Sequence, residues 1–289
     1  SRVNNYKVVI PIIGKFSAGK SSLLNSYLDK DYLKVNIAPE TAIATELTYS
    51  EVEQFTVHYA DDTQPTIYSL SALQDFQPNE QVAYITVELN NQRLKNRRDV
   101  VLVDMPGFDA RNKAHQKAIA TYLERGDYFV TLFPADIPFD NTVVERLEEI
   151  YYDHGKDIGC LISKSARKSE VELAKSIEQV KQTLNERMQD HFEVTSIETQ
   201  DKQLYTIKGF EVMIDNAASQ FDGLLKHRYQ PALSALITSI EVALKAKNSY
   251  TSNTAVEIEN KIDVLEQSFN QEKQHLEQML TELEYNLCS

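Results

Sequence analysis

Apolar runs of strand length punctuate the chain up to about residue 206 and then disappear. "YKVVIPII" (6–13) is continuous and rich in β-branched residues, the pattern of a strand buried on both faces. "DVVLVD" (99–104), "DYFVTLFPA" (127–135) and "IGCLISK" (158–164) repeat it. "TELTYSEV" and "QFTVHYA" read as a pair of strands, and "QVAYITVEL" as another. Helical patterns lie between them at 113–125, 141–153 and 170–190. Strands alternating with helices predict an α/β domain: a mostly parallel sheet, covered on both faces in three layers. "KVNIAPETAIATE" (34–46) reads as a long loop after the first helix.

Beyond residue 206 the pattern is helical, with a break expected at Pro231. The polar "KNSYTSNT" (247–254) reads as a turn between helices. Ile258, Ile262, Leu265, Phe269, Glu272, Leu276, Met279, Leu283 and Asn286 follow a 4-3 spacing, mostly apolar. That is the seam of a coiled coil or helix bundle, although an ordinary packed helix gives the same spacing. The expected division is a nucleotide-type domain at 1–206 and a helical bundle or neck at 207–289. The chain starts at Ser1 without methionine and stops within a helical pattern, so it reads as an excised piece.

The formal net charge of −13 disfavours binding to nucleic acid, which needs cations to displace counterions. The single short basic cluster, "RLKNRR" (93–98), reads as a hairpin edge. Two cysteines make no disulfide framework. Cys160 sits in an apolar run and reads as core, which fits a reducing cytoplasm. The histidines show no metal-ligand spacing. No apolar run approaches the ~18 residues of a membrane span, and no signal peptide is visible.

The chemistry concentrates in Gly14-Lys15-Phe16-Ser17-Ala18-Gly19-Lys20-Ser21, followed by Ser22. It fits G-x-x-x-x-G-K-[ST] in full and stands between a predicted strand and a predicted helix, as a phosphate loop must. Glycines let backbone approach phosphate, and amides at a helix N-terminus supply positive potential. Lys20 is expected on the β- and γ-phosphates and the Ser21 hydroxyl on Mg²⁺. Asp104, ending its strand in "VVLVDMPGF", is expected to hold Mg²⁺ through water, and Gly107 to let an N–H approach the γ-phosphate. The two elements together point to a GTPase rather than a kinase. Thr41 in "APETAIATEL" is expected to complete the Mg²⁺ shell. Thr45 competes for that role, but already reads as the start of a strand. At the base end stand Ser163-Lys164-Ser165-Ala166, where a guanine reader of the [NT]-K-x-D type belongs. Ser163 and Lys164 fit, with Lys164 placed to stack along the base. The acid is missing, so either another acid substitutes or guanine selectivity is relaxed.

These residues resemble the dynamin-like large GTPases, most nearly the bacterial type. "GKFSAGKSSLLN" is similar to that family's phosphate loop, "PETAIATEL" to its first switch, "DMPGF" to its second, and "FPADIPFDNT" (133–142) to its Pro-Ala segment. The likeness covers about residues 6–200, most firmly the first 140. It implies binding of GTP and GDP with Mg²⁺, and hydrolysis stimulated when two copies meet across their nucleotides. It also implies movement of a helical bundle, membrane remodelling, and a cytoplasmic protein peripheral to a membrane whose lipid contacts lie outside this piece. Ser17 is the position that would help to place water and a monovalent cation, K⁺ or Na⁺. With Lys20 and Thr41, it is the implied catalytic set. Phe16 departs from the glutamine of eukaryotic members and cannot hydrogen-bond water. Two alternatives stand beside this reading: a nucleotide-gated scaffold that barely hydrolyses, and a P-loop enzyme of relaxed base specificity or one that uses ATP.

Overall fold

The computed structural model describes residues 7–34, 43–60, 63–79, 81–108, 113–137, 141–199, 201, 205–220, 223, 234–243, 267–268 and 270–271. The chain packs as two compact units, and Lys7–Ser219 is the one that carries the sheet. In the other unit, residues 234–243 form a helix, and 267–268 and 270–271 are helical. Pro231, the turn expected at 247–254 and nearly all of the seam expected at 258–286 lie outside the described residues.

Among the described residues, nine strands form one mostly parallel sheet. They are β1 (Val8–Gly14), β2 (Ala44–Tyr49), β3 (Gln54–Tyr59), β4 (Thr66–Ser69), β5 (Val82–Leu89), β6 (Val100–Asp104), β7 (Tyr128–Pro134), β8 (Asp157–Ser163) and β9 (Val194–Ser196). Their order is β4-β3-β5-β2-β6-β1-β7-β8-β9. The strands read from continuous apolar runs take the middle: β1 lies between β6 and β7, parallel to both, and is buried along its whole length. Among the described residues of this unit, six α-helices accompany them: α1 (Lys20–Leu28), α2 (Gln92–Lys95), α3 (Lys113–Arg125), α4 (Asn141–Glu148), α5 (Glu170–Met188) and α6 (Lys208–Ser219). A π-helical turn, Glu149–Asp153, ends the helix expected to run on to residue 153.

Strand alternation divides the core into two layers. Val9 and Ile13 of β1 join a cluster with Ile119 and Tyr122 of α3, Val144 and Leu147 of α4, and Val180 and Leu184 of α5. Val8, Ile10 and Ile12 point the other way and are fully buried, on the side where Tyr27 of α1 meets Phe210 of α6 edge-on at 5.5 Å. Two helical layers enclosing a sheet are what the sequence pattern predicts.

Two expectations need correcting. β2 and β3 do not pair with each other, because β5 lies between them, parallel to β2 and antiparallel to β3. β5 is buried along most of its length on both faces and so belongs inside, whereas β3 alternates between buried and half-exposed positions and suits a place nearer the edge. "RLKNRR" is not a hairpin edge. Asn91 accepts hydrogen bonds from the N–H groups of Arg93 and Leu94, which starts the one-turn helix α2, and Leu94 anchors it in the core. The arginines of this stretch then pair with α6, Arg93 with Glu211 at 2.8 Å and Arg97 with Asp215.

A buried polar cluster ties the strand that leaves the first loop to the helix that leaves the second. Glu46 of β2 accepts from Tyr122 Oη at 2.7 Å, from Arg125 at 2.8 Å, both on α3, and from Thr86 Oγ1 at 3.1 Å. Arg125 also lies over the rings of Tyr84 and Tyr122. Every oxygen of the Glu46 carboxylate therefore has a donor, the condition for burying a charge without a large penalty.

Candidate functional site

The phosphate end of the cleft is built from backbone. β1 ends at Gly14, whose φ is +144°, and a Cβ there would lie 2.8 Å from the Leu132 carbonyl oxygen, so only glycine fits. Gly19, at φ 97°, begins α1 with no side-chain cap, which leaves the first turn's amides facing the cleft for an anion. Ser17 takes φ 59° at the exposed tip, beside Phe16, which is 38% exposed. Ala18 is fully buried under the loop. The Lys20 ammonium folds back over the turn and donates to the carbonyls of Gly14 at 3.2 Å and Lys15 at 2.9 Å. A cation held over a ring of amides is a site for a polyphosphate.

Next to it, Ser21 Oγ donates to Asp104 Oδ2 at 2.6 Å. Asp104 ends β6, in register with Ile12 of β1 on one side and Thr45 of β2 on the other. Its other oxygen, Oδ1, is buried without a hydrogen-bond partner. Burial raises the carboxyl above its ordinary value, although the Ser21 hydroxyl and the Lys20 charge both oppose this. An orphaned carboxylate oxygen beside a hydroxyl, in a cleft shaped for phosphate, fits Mg²⁺. Among the described residues no group of three or more His, Cys, Asp or Glu could hold a metal. Mg²⁺ needs only one or two protein oxygens and fills its remaining positions with phosphate and water. Gly107 is buried and lines the same cleft, as does Thr45, whose hydroxyl reaches the Ile43 carbonyl at 3.5 Å. Thr41 lies outside the described residues.

The base end joins the phosphate end through one bond. Ser163, the last residue of β8, donates from Oγ to the Ala18 carbonyl at 2.6 Å. Lys164 follows at φ 60°, and Ser165–Arg167 makes a single 3₁₀ turn. The Ala135 N–H bonds the Ser163 carbonyl at 2.9 Å, so the "FPAD" segment supports this loop from β7. Lys164 and Arg167 line the cleft together with Phe16, Gly19, Lys20, Ser21, Ser22 and Asp104. The cleft holds about 850 Å³, within the range of small-molecule sites.

Sequence reasoning missed three residues at this end. Glu198 is 1% exposed and accepts the Ala166 N–H at 2.7 Å and the Asp201 N–H at 3.2 Å. Asp136 pairs with Arg167 at 2.6 Å. No local pattern could have found Glu198, because the strand before it, β9, is only three residues long and was not anticipated.

A profile of the dynamin family matches residues 10–166. A probable transmembrane GTPase of Arabidopsis thaliana, FZO-like and chloroplastic, is 27% identical over 136 residues, which are 47% of this chain and 13% of that protein. A bacterial dynamin-like protein of Nostoc punctiforme is 21% identical over an alignment of 310 residues, covering 95% of this chain and 44% of its own. A solved structure of an oligomerised bacterial dynamin pair, described as a mechanism for long-range sensing and tethering of membranes, superposes with a TM-score of 0.59 at 19% identity. It covers 99% of this chain and 48% of that one, a likeness of fold. The chain spans less than half the length of each of these proteins.

Proposed function

The chain belongs to the dynamin family, and from that premise we propose that it carries a GTPase domain that binds GTP with Mg²⁺ and hydrolyses it. The observation that carries this reading is the half-buried pair of Ser21 and Asp104, 2.6 Å apart, with the buried Asp104 Oδ1 unpartnered and the Lys20 charge acting on it. Ser21 and Asp104 would hold Mg²⁺, which when bound neutralises charge on the phosphates and orients them. Lys20 exchanges its bonds to the Gly14 and Lys15 carbonyls for phosphate oxygens. The amides of the first turn of α1 orient the phosphate chain, and Thr41 completes the cation's shell. Ser17 stands at the exposed tip of the loop, and in this reading it faces the γ-phosphate. Phe16 beside it cannot hydrogen-bond water, so water must be placed by backbone groups, the Thr41 loop or a second copy of the domain.

That last point supports hydrolysis stimulated by self-association, and the solved oligomerised bacterial dynamin pair agrees with it. Coupling to helical movement and to membrane remodelling rests on family membership; no helix among the described residues is long and apolar enough to cross a membrane. Phe16 also favours one second reading, a nucleotide-gated scaffold with little turnover. Phosphate release under single-turnover conditions, measured across a range of protein concentration, separates the two. A rate that rises with concentration and vanishes in Lys20→Ala supports the GTPase. A rate no faster than that of Lys20→Ala at every concentration leaves the scaffold.

A further inference from the structure

We infer that the cleft takes 6-oxopurine nucleotides without reading the purine 2-amino group, because the acid of the base loop lies beneath the loop, at Glu198, instead of at its tip. This rests on the nucleotide reading above and adds to it the chemical class of base accepted.

Guanine offers two kinds of atom for recognition. O6 and N7 accept, whereas N1–H and the exocyclic N2–H₂ donate. A carboxylate at the fourth position of the motif would collect the donors, but Ala166 stands there with no side chain to do so. Its backbone is in use instead: the Ala166 N–H is bonded to Glu198 Oε2 at 2.7 Å, and Glu198 Oε1 accepts the Asp201 N–H at 3.2 Å. The Glu198 main chain is locked in turn, since its N–H and C=O both pair with Thr206, at 2.9 and 3.0 Å. The Ser165 N–H reaches the neighbouring Ile197 carbonyl at 3.4 Å. At 1% exposure, the Glu198 carboxylate faces the loop's underside and is absent from the cleft's lining. Glu198 is therefore a positioning residue that sets the turn Ser165–Arg167 without touching the nucleotide.

What the turn presents is cationic. Lys164 and Arg167 line the cleft at this end. Among the described lining residues Asp104 is the only acid, and it lies at the phosphate end, bonded to Ser21. Asp136, the acid nearest in sequence on the neighbouring strand's end, is paired with Arg167. Donors and cations favour O6 and N7 and disfavour adenine, which places an N6–H₂ donor where guanine has O6. They give no preference between guanine and hypoxanthine, which differ only by the 2-amino group. A site that hydrogen-bonds a polar group rejects the analogue lacking it strongly, and a site that ignores the group does not.

The test is a calorimetric titration of the chain with the non-hydrolysable imido triphosphates of guanosine, inosine and adenosine, each with Mg²⁺, alongside inorganic tripolyphosphate. The expected result is guanosine and inosine affinities within about threefold and adenosine weaker by about tenfold or more. Ala166→Asp restores an acceptor at the tip and should raise the guanosine-to-inosine ratio by about tenfold, the worth of one charge-assisted bond. Ala166→Asn should move it in the same direction without adding charge beside Glu198. Glu198→Gln keeps one acceptor and sets an N–H₂ against a backbone N–H. It should weaken guanosine and inosine analogues together while leaving tripolyphosphate unchanged, which a general loss of structure would not do. Guanosine bound tenfold more tightly than inosine by the unaltered chain would overturn this inference and leave the GTPase reading standing. Adenosine bound as tightly as guanosine, or no triphosphate bound at all, would overturn both.

Discussion

The two ends of the cleft obey different rules. At the phosphate end, recognition is carried by backbone and by residues next to one another in sequence: Gly14, Gly19, Lys20 and Ser21, joined by one strand-end acid, Asp104. At the base end, the loop Ser163–Arg167 is held from outside itself, by Ala18 on one side and by Glu198, 32 positions from Ala166, on the other. Phosphate is the same in every nucleotide, so its cradle tolerates little variation. The base loop needs only to present donors and acceptors in the right plane, and several supporting residues can achieve that. Both ends stand on one platform, the sheet: the phosphate end on β1 and β6, the base end on β8.

The largest expected effect removes the platform and so treats both ends alike. Glu46→Ala leaves Arg125 without its buried partner and Tyr122 without an acceptor. It should cost about 3–5 kcal/mol of folding stability, read as the shift of a urea unfolding midpoint. If nucleotide affinity falls while the midpoint stays, the cluster acts on the site directly and the shared platform is the wrong description.

Lys20→Ala should break the phosphate end alone. Loss of its contacts to two phosphates is expected to weaken every nucleotide by about 100-fold, or about 3 kcal/mol, whatever its base. The folded state, in which Lys20 bonds the Gly14 and Lys15 carbonyls, should change little. Asp104→Asn should have a narrower effect. Triphosphate affinity with Mg²⁺ should fall by about tenfold, to the value the unaltered protein shows in EDTA, because the amide is a poor ligand for a hard cation. A variant that still responds to EDTA would place the cation elsewhere.

The smallest effects belong to single supports. Ser163→Ala deletes the bond to the Ala18 carbonyl and should cost about 1 kcal/mol of stability. It should also loosen the base loop, seen as faster amide exchange at Ser165–Arg167 with Lys20 unaffected. At the platform, burial holds the His58 imidazole below its ordinary value, helped by Arg125 and opposed by Glu46. The unfolded chain therefore takes up that proton first as pH falls below 6.5, the ordinary histidine value. Stability should decline from there until the folded imidazole also protonates. His58→Gln should flatten that part of the stability–pH curve and leave nucleotide selectivity at both ends as it was.

How far each region was legible in the sequence follows the same division. The phosphate loop, Asp104 and the central strands could be read because their chemistry is local: an eight-residue motif, an acid closing an apolar run, and runs buried on both faces. The position of β5 between β2 and β3 could not, since strand order is a tertiary choice and "TELTYSEV" followed closely by "QFTVHYA" has the local signature of a hairpin. "RLKNRR" misled because its charges suggest an exposed edge, while Asn91 as a cap and Leu94 as an anchor make it a helix packed beside α6. Glu198 was invisible for the most general reason. A buried acid that serves a distant backbone N–H leaves no spacing to recognise, and only the fold brings it under Ala166.

The most direct test of the central claim is a calorimetric titration of a non-hydrolysable GTP analogue into the unaltered chain and into Lys20→Ala, each with Mg²⁺ and again with EDTA. The account predicts binding in the unaltered chain that weakens in EDTA and falls by about 100-fold in Lys20→Ala. Equal binding by both proteins, or binding indifferent to Mg²⁺, would contradict it, since neither Lys20 nor the pair of Ser21 and Asp104 would then be holding the phosphates.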